Sequence, residues 1–325
     1  MGMVSEVQAT TAIDTVLDRT IALGYGDVGL RLRRRLAGWP ADPPRMDGKV
    51  VVVTGAASGI GLAACRGFAH LGASVRAVAR DERRADDAVR LIREAAPAAD
   101  VRGLHCDVAS LRALRSLAER LYAEEEHLDV LVNNAGTMPD QRERSPDGHE
   151  VMFATHVLAP FALTSWSADL LARSAPSRII NVSSGGMYGQ SLPAGDLQSD
   201  DARYSSKKLY ARTKREEVVI TELWAEKLAA RGIVVHAMHP GWVDTKGVRD
   251  WLPVFRALTG SIIRNPEEGA DTIVWLGGAP EALRSTGRFW HDRRARPTHY
   301  RLGASDDDPR DRRRLWELCQ SLIES

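Results

Sequence analysis

From residue 49 onwards, short β-branched runs alternate with longer amphipathic stretches. The runs are VVVVT (50–54), SVRAVA (74–79), VRGLHC (101–106), DVLVN (129–133), RIINVS (178–183) and IVVHAM (233–238). Between them, segments 59–71, 83–95, 110–126, 150–174 and 206–230 are long enough for crossover helices. Apolar strands that do not alternate in polarity, separated by helices, predict a parallel sheet covered on both faces: an α/β, doubly wound Rossmann fold. One domain over 49–300 is expected. Residues 1–48 form an amphipathic extension (Ile13, Val16, Leu17 and Ile21 at helical spacing) and a Pro-rich linker, WPADPPRMDG. After residue 240 the alternation weakens. Segment 242–266 is rich in Trp, Leu, Val and Phe but broken by Gly and Pro, which suits an apolar flap over a substrate site. Residues 301–325 make a tail whose apolar positions predict a helix over 312–323.

Composition narrows the partners. A formal net charge of +1 over 325 residues gives no global field to recruit nucleic acid, although RLRRRL (31–36) is locally basic. Three cysteines without CxxC spacing or a histidine pattern argue against a disulfide framework or a structural metal. No apolar run approaches the ~18 residues of a membrane span, and no secretory signal opens the chain. A cytoplasmic protein with a small-molecule partner is expected. Peripheral membrane contact through the amphipathic start is the remaining membrane option.

The first strand ends in TGAASGIG, which contains Thr54, Gly55, Ser58, Gly59, Ile60 and Gly61 and leads straight into a helix pattern. Strand, glycine turn and helix N-terminus aim backbone N–H groups and a helix dipole at one point, which suits a pyrophosphate. Further on, YSSKKLYARTK (204–214) offers tyrosine and lysine four apart twice, Tyr204 with Lys208 and Tyr210 with Lys214. Either pair shares a helix face.

TGxxxGxG after the first strand, NNAG (133–136) after the fourth, NVSS (181–184) closing the fifth, a Tyr-xxx-Lys pair, and HPGWVDT (239–245) after the sixth resemble the short-chain dehydrogenase/reductase family. The chain resembles members near the family's retinol dehydrogenase group, and YARTKREEVVITELWAEK, MHPGWVDTKGVR, EEGADTIVWL and GRFWHDRR are similar to a narrower branch there that also carries a segment before the glycine motif. The resemblance implies an oxidoreductase that interconverts a hydrophobic secondary alcohol and its ketone or aldehyde. In the family the tyrosine opens a long helix and a Thr-x-Leu segment follows the lysine by two turns, as TEL (221–223) does for Lys214, so Tyr210 and Lys214 are the expected pair. Ser184 is then expected to bond the substrate oxygen. The glycine turn, Asp107, Val108, Asn134, Ala135, Gly136, Pro240, Gly241, Val243 and Thr245 are expected to hold a nicotinamide dinucleotide with Tyr210 and Lys214. Arg80 stands where NAD-dependent members place an acidic residue after the second strand, and an arginine there favours a 2′-phosphate, hence NADP. One departure is His156, counted with the catalytic residues, at the position of a usual asparagine in HVLAPFALT (156–164), where it is expected to keep that residue's backbone role or to titrate itself. It keeps open a second expectation, a non-catalytic NADP(H)-binding sensor or interaction module. Homodimers or homotetramers are the implied assembly.

Overall fold

The structure is a computed structural model, and it describes residues 12–20, 24–193, 195–199, 203–245, 249, 260, 262–300 and 307–324. After a helical segment over 12–19, the chain runs α1 (Asp27–Arg35), β1 (Val50–Thr54), α2 (Gly59–His70), β2 (Ser74–Ala79), α3 (Glu82–Ala95), β3 (Val101–His105), α4 (Leu111–Glu124) and β4 (Val130–Asn133). Then follow α5 (Val151–Ala172), β5 (Ser177–Val182), α6 (Ser206–Leu228), β6 (Ile233–Met238), α7 (Pro266–Gly278), the short strands β7 (Phe289–His291) and β8 (Arg294–Arg296), and α8 (Pro309–Glu324).

All five residues of β1 and all residues of β4 and β5 are buried, as strands covered on both faces require. The sheet has the order β3-β2-β1-β4-β5-β6-β7-β8, parallel throughout except for the antiparallel pair β7–β8. The strand order reverses between β1 and β4, and a doubly wound sheet opens its crevice at that switch point. One apolar layer joins α2 and α7 to the sheet through Phe68, Ile273 and Leu276. The other joins α4, α5, α6 and α8 through Leu114, Phe161, Val219 and Leu315.

By length and composition α5 is the one described helix apolar enough to cross a membrane, but 83% of its most apolar window is buried inside the protein. It is a core helix, interrupted by a π-helical turn at Ala154–Leu158.

The described part of the N-terminal extension is built into the domain. Arg33 of α1 is fully buried. Its Nε donates to Asp14 at 2.9 Å, and its Nη1 donates to Asp292, in the turn between β7 and β8, at 2.7 Å. Arg264, just before α7, grips the same Asp292 with Nη1 at 2.6 Å and Nη2 at 2.9 Å. The Pro-rich linker lies along α7, where Trp275 Nε1 donates to the Ala41 carbonyl at 3.1 Å. The large apolar side chains left exposed among the described residues, Ile13, Val16, Val28 and Leu32, all belong to this segment. Within the expected flap, Val248, Trp251, Leu252, Pro253, Val254 and Phe255 lie outside the described residues.

Candidate active site

At the switch point, the ends of β1 and β4 are tied together by one side chain. Thr54 Oγ1 accepts from the N–H groups of Asn134 at 2.9 Å and Ala135 at 3.1 Å, and Asn134 Nδ2 returns a bond to the Thr54 carbonyl at 2.9 Å. The glycines allow the close approach. Gly55 has φ +69, and a Cβ on Gly61 would lie 2.3 Å from the Gly55 carbonyl oxygen, so only glycine lets α2 begin directly behind the strand. A cleft of ≈ 310 Å³ results, lined by Gly55, Ser58, Gly59, Ile60 and Gly61 on its floor. This cradle fits a dinucleotide pyrophosphate.

Around the floor stand Asn134, Ala135 and Gly136 from the end of β4, and Asp107 with Val108 from the end of β3. Asp107 Oδ1 accepts from Ala109 N–H at 3.1 Å, while Ser110 is the cap of α4. Arg80 lines the far end and is exposed. Arg84, in the first turn of α3, stands in the same lining and adds a second guanidinium. Pro240 and Thr245 close the opposite rim. A Cβ on Gly59 would meet Thr245 Cγ2 at 3.2 Å. Gly241 (φ +80) lies outside the lining. Val243 buries its side chain against Gly269 in α7 and also lies outside the lining.

Of the two tyrosine–lysine pairs, Tyr210 and Lys214 reach the cleft. Tyr204 precedes α6, and its hydroxyl donates to the Pro139 carbonyl at 2.6 Å; Lys208 is exposed. Lys214 is buried, with Nζ donating to the Val182 carbonyl at 2.8 Å and to Glu217 Oε2 at 2.9 Å, and it lies 5.9 Å from the Tyr210 ring centre. Ser184 follows β5, and its Oγ accepts from Gly186 N–H at 3.2 Å. A Cβ on Gly186 would touch both Ser184 Oγ (3.6 Å) and Ala211 Cβ (3.7 Å), which sets the serine turn against the helix beside Tyr210. It is Ser183 rather than Ser184 that lines the cleft, and its hydroxyl donates to the Lys214 carbonyl at 2.8 Å.

His156 sits in the π turn, fully buried, behind this group rather than in the cleft. Its Nε2 accepts from Thr137 N–H at 3.0 Å, and Nδ1 lies 2.9 Å from Thr213 Oγ1. Thr213 spends its own proton on the Tyr210 carbonyl at 3.0 Å, so Nδ1 carries the ring proton and Thr213 accepts it. Burial, reinforced by Lys214, pushes the imidazole well below the usual histidine range. His156 is therefore a neutral brace between the loop after Gly136 and the helix that carries Tyr210, with its ring edge-on to Tyr210 at 5.4 Å.

The family model for short chain dehydrogenases matches residues 49–253. The chain belongs to the short-chain dehydrogenase/reductase family. Dehydrogenase/reductase SDR family member 12 of Bos taurus is 38% identical over 282 residues, 86% of this chain and 87% of the relative. Retinol dehydrogenase 14 of Homo sapiens is 33% identical over 315 residues, 91% of this chain and 92% of the relative. Among solved structures, L-sorbose reductase from Gluconobacter frateurii, complexed with NADPH and L-sorbose, matches with a TM-score of 0.62 at 25% identity, covering 76% of this chain and 95% of that one. This short-chain dehydrogenase/reductase is thus an oxidoreductase with a nucleotide-binding Rossmann fold.

Its pattern of motifs gave no hint of two contributors. One is Glu217, bonded to Lys214. The other is Tyr25, from the N-terminal extension, whose ring packs on His239 at 4.3 Å and whose carbonyl accepts from Trp242 N–H at 2.8 Å. A Cβ on Gly185 would come within 2.6 Å of the Tyr25 ring. Tyr25 therefore supports both the turn after Ser184 and the loop after Pro240.

Proposed function

We propose that this chain interconverts a hydrophobic secondary alcohol and its ketone or aldehyde with NADP(H), using Tyr210 as the acid and base. The observation that carries the reading is the meeting of Tyr210 and Lys214 in the one cleft that also holds the glycine cradle and Arg80. When bound there, the nicotinamide supplies or accepts the hydride. The protein's own residues handle the proton and the charge. Ser184 and Tyr210 would hydrogen-bond the substrate oxygen, and Tyr210 gives up its proton as a carbonyl is reduced or takes one back as an alcohol is oxidised. A free phenol has a pKa near 10, so it needs a nearby cation to accept and release protons close to neutrality; Lys214 is that cation. Asn134, Ala135 and the glycine turn hold the dinucleotide, and Arg80 with Arg84 gives its far end two cations for a 2′-phosphate. The retinol dehydrogenases among the relatives, and the density of apolar residues in 242–266, support a bulky apolar substrate.

The test is a titration with NADPH and NADH that follows quenching of the eight tryptophans, run on the protein and on Arg80→Ala. NADPH should bind roughly 10- to 100-fold more tightly, the worth of a charged hydrogen bond, and the variant should lose that preference. With a panel of hydrophobic carbonyls, Tyr210→Phe should lower turnover by about 10²–10⁴ while NADPH binding persists. Equal turnover by Tyr210→Phe would sink the assignment, and absence of dinucleotide binding would sink it one step earlier.

A further inference from the structure

A second acid stands behind the catalytic pair. Glu217 lies three residues beyond Lys214 on α6 and is 1% exposed. Its Oε2 accepts from Lys214 Nζ at 2.9 Å, and the Val182 carbonyl takes a second proton of the same ammonium at 2.8 Å. An ammonium has three donors, so two are committed inside the protein and one is left for the cleft. The carboxylate thus decides where Lys214 points. It also carries the opposite charge at hydrogen-bond distance, and so offsets the field that Lys214 exerts on Tyr210, whose ring centre is 5.9 Å away.

We propose that Glu217 is a positioning residue that governs Tyr210 through Lys214: as a carboxylate it aims the ammonium and offsets its charge, and as a neutral acid it leaves that charge to act in full on the phenol. Burial raises the Glu217 carboxyl, Lys214 lowers it in part, and it ends at about 7, so both forms exist near neutral pH. The charge that acts on Glu217 is Lys214, on its own helix. The π turn of α5 brings up His156 on the far side of the same ammonium, held neutral; β5 brings only the Val182 carbonyl; and Arg215, the next residue along, is turned to Asp307 and the Thr298 carbonyl. The consequence for catalysis rests on the oxidoreductase reading above, but the coupling itself does not.

Two readouts keep them apart. The first is the ultraviolet difference absorbance of the Tyr210 phenolate, obtained by subtracting Tyr210→Phe from the parent across a pH series, in the native and the Glu217→Gln backgrounds. Glutamine keeps an acceptor for Lys214 but carries no charge, so the phenolate should form at a pH lower by about one unit. Glu217→Asp, which keeps the charge, should leave the midpoint within a fraction of a unit of the native one. The second readout is the pH–rate profile with NADPH and a carbonyl, whose alkaline limb should move down by the same amount in Glu217→Gln. An unchanged phenolate midpoint in Glu217→Gln overturns the proposal, whatever the rates do. A shifted midpoint in a protein that turns over no carbonyl upholds the coupling and removes the oxidoreductase reading instead.

Discussion

Two carboxylates, Glu217 and Asp292, are buried to the same degree and meet opposite fates. Glu217 has one charge-assisted bond, from a single ammonium, and burial wins: the acid is raised to about 7. Asp292 has three such bonds from two guanidiniums, Arg33 Nη1 at 2.7 Å and Arg264 Nη1 and Nη2 at 2.6 and 2.9 Å. Burial alone would raise it as well, but Arg264 and then Arg33 overcome that and hold it below the usual carboxylate range. The number of donors, rather than depth, decides whether a buried acid can titrate near neutrality. Helix α6 holds an acid that can change charge; the junction between the N-terminal extension, the β7–β8 turn and the entry to α7 holds one that cannot.

The largest expected effect comes from breaking the locked set. Asp292→Asn leaves Arg33 with Asp14 and the Gly24 carbonyl, and Arg264 with no carboxylate, only carbonyls and His291. Removing one partner of a buried network costs about 3–5 kcal/mol, to be read from guanidinium unfolding. A loss below about 1 kcal/mol would mean that the junction is not holding the domain together. Because Arg264 Nη1 also grips the Pro240 carbonyl at 3.1 Å, the variant should bind NADPH less tightly as well.

The two acids should also differ in how their stability effects depend on pH. Asp292 has a depressed folded value, so its contribution is complete above the unfolded value of about 3.9 and is lost only as pH falls through the folded one. The cost of Asp292→Asn should therefore be flat from pH 5 to pH 8. Glu217 has a raised folded value, so its contribution is complete below the unfolded value of about 4.3 and is lost as pH rises towards about 7. The stability difference between the native protein and Glu217→Gln should change by roughly 1.4 kcal/mol per pH unit across that window, with the native protein losing ground as pH rises. Parallel pH curves for the two variants would erase the distinction drawn above.

Neither acid announces itself in the sequence. Arg215, Glu216 and Glu217 form a charged run of the kind that usually faces water, yet all three are buried. RLRRRL reads as a locally basic cluster, but Arg33 within it is buried, and one of its two carboxylate partners is 259 residues away. Strands β7 and β8 were likewise invisible. Each has three residues, too few to show a period, and the turn between them puts Asp292 (φ 51) and Arg293 (φ 55) in the left-handed region without the Asn-Gly or Gly signal such turns usually carry. The long elements were legible because their physics is local: valine runs such as β1 suit only a doubly covered strand, and Gly55 and Gly61 are required by contacts within the turn itself. That Tyr210 rather than Tyr204 lies on the long helix and lines the cleft was legible too, through the continuous helix pattern behind it. What depended on a partner far along the chain was not.

The smallest expected effect concerns His156, which tests whether Glu217 is the group near this site that titrates close to neutrality. Both of its ring nitrogens are bonded and burial keeps it neutral, so it can brace but not switch. His156→Phe retains the edge-on contact with Tyr210 and removes both hydrogen bonds. It leaves the Thr137 N–H and the Thr213 hydroxyl without that partner, at a cost of about 1–3 kcal/mol in stability. Turnover should fall modestly at every pH, because the loop after Gly136 and α6 lose their tie. The shape of the pH–rate profile should stay as it is, since no proton enters or leaves the imidazole in the working range. If an inflection near pH 6.5 were present in the native profile and absent from His156→Phe, the histidine would be titrating, and the pH response assigned to Glu217 would belong in part to the π turn.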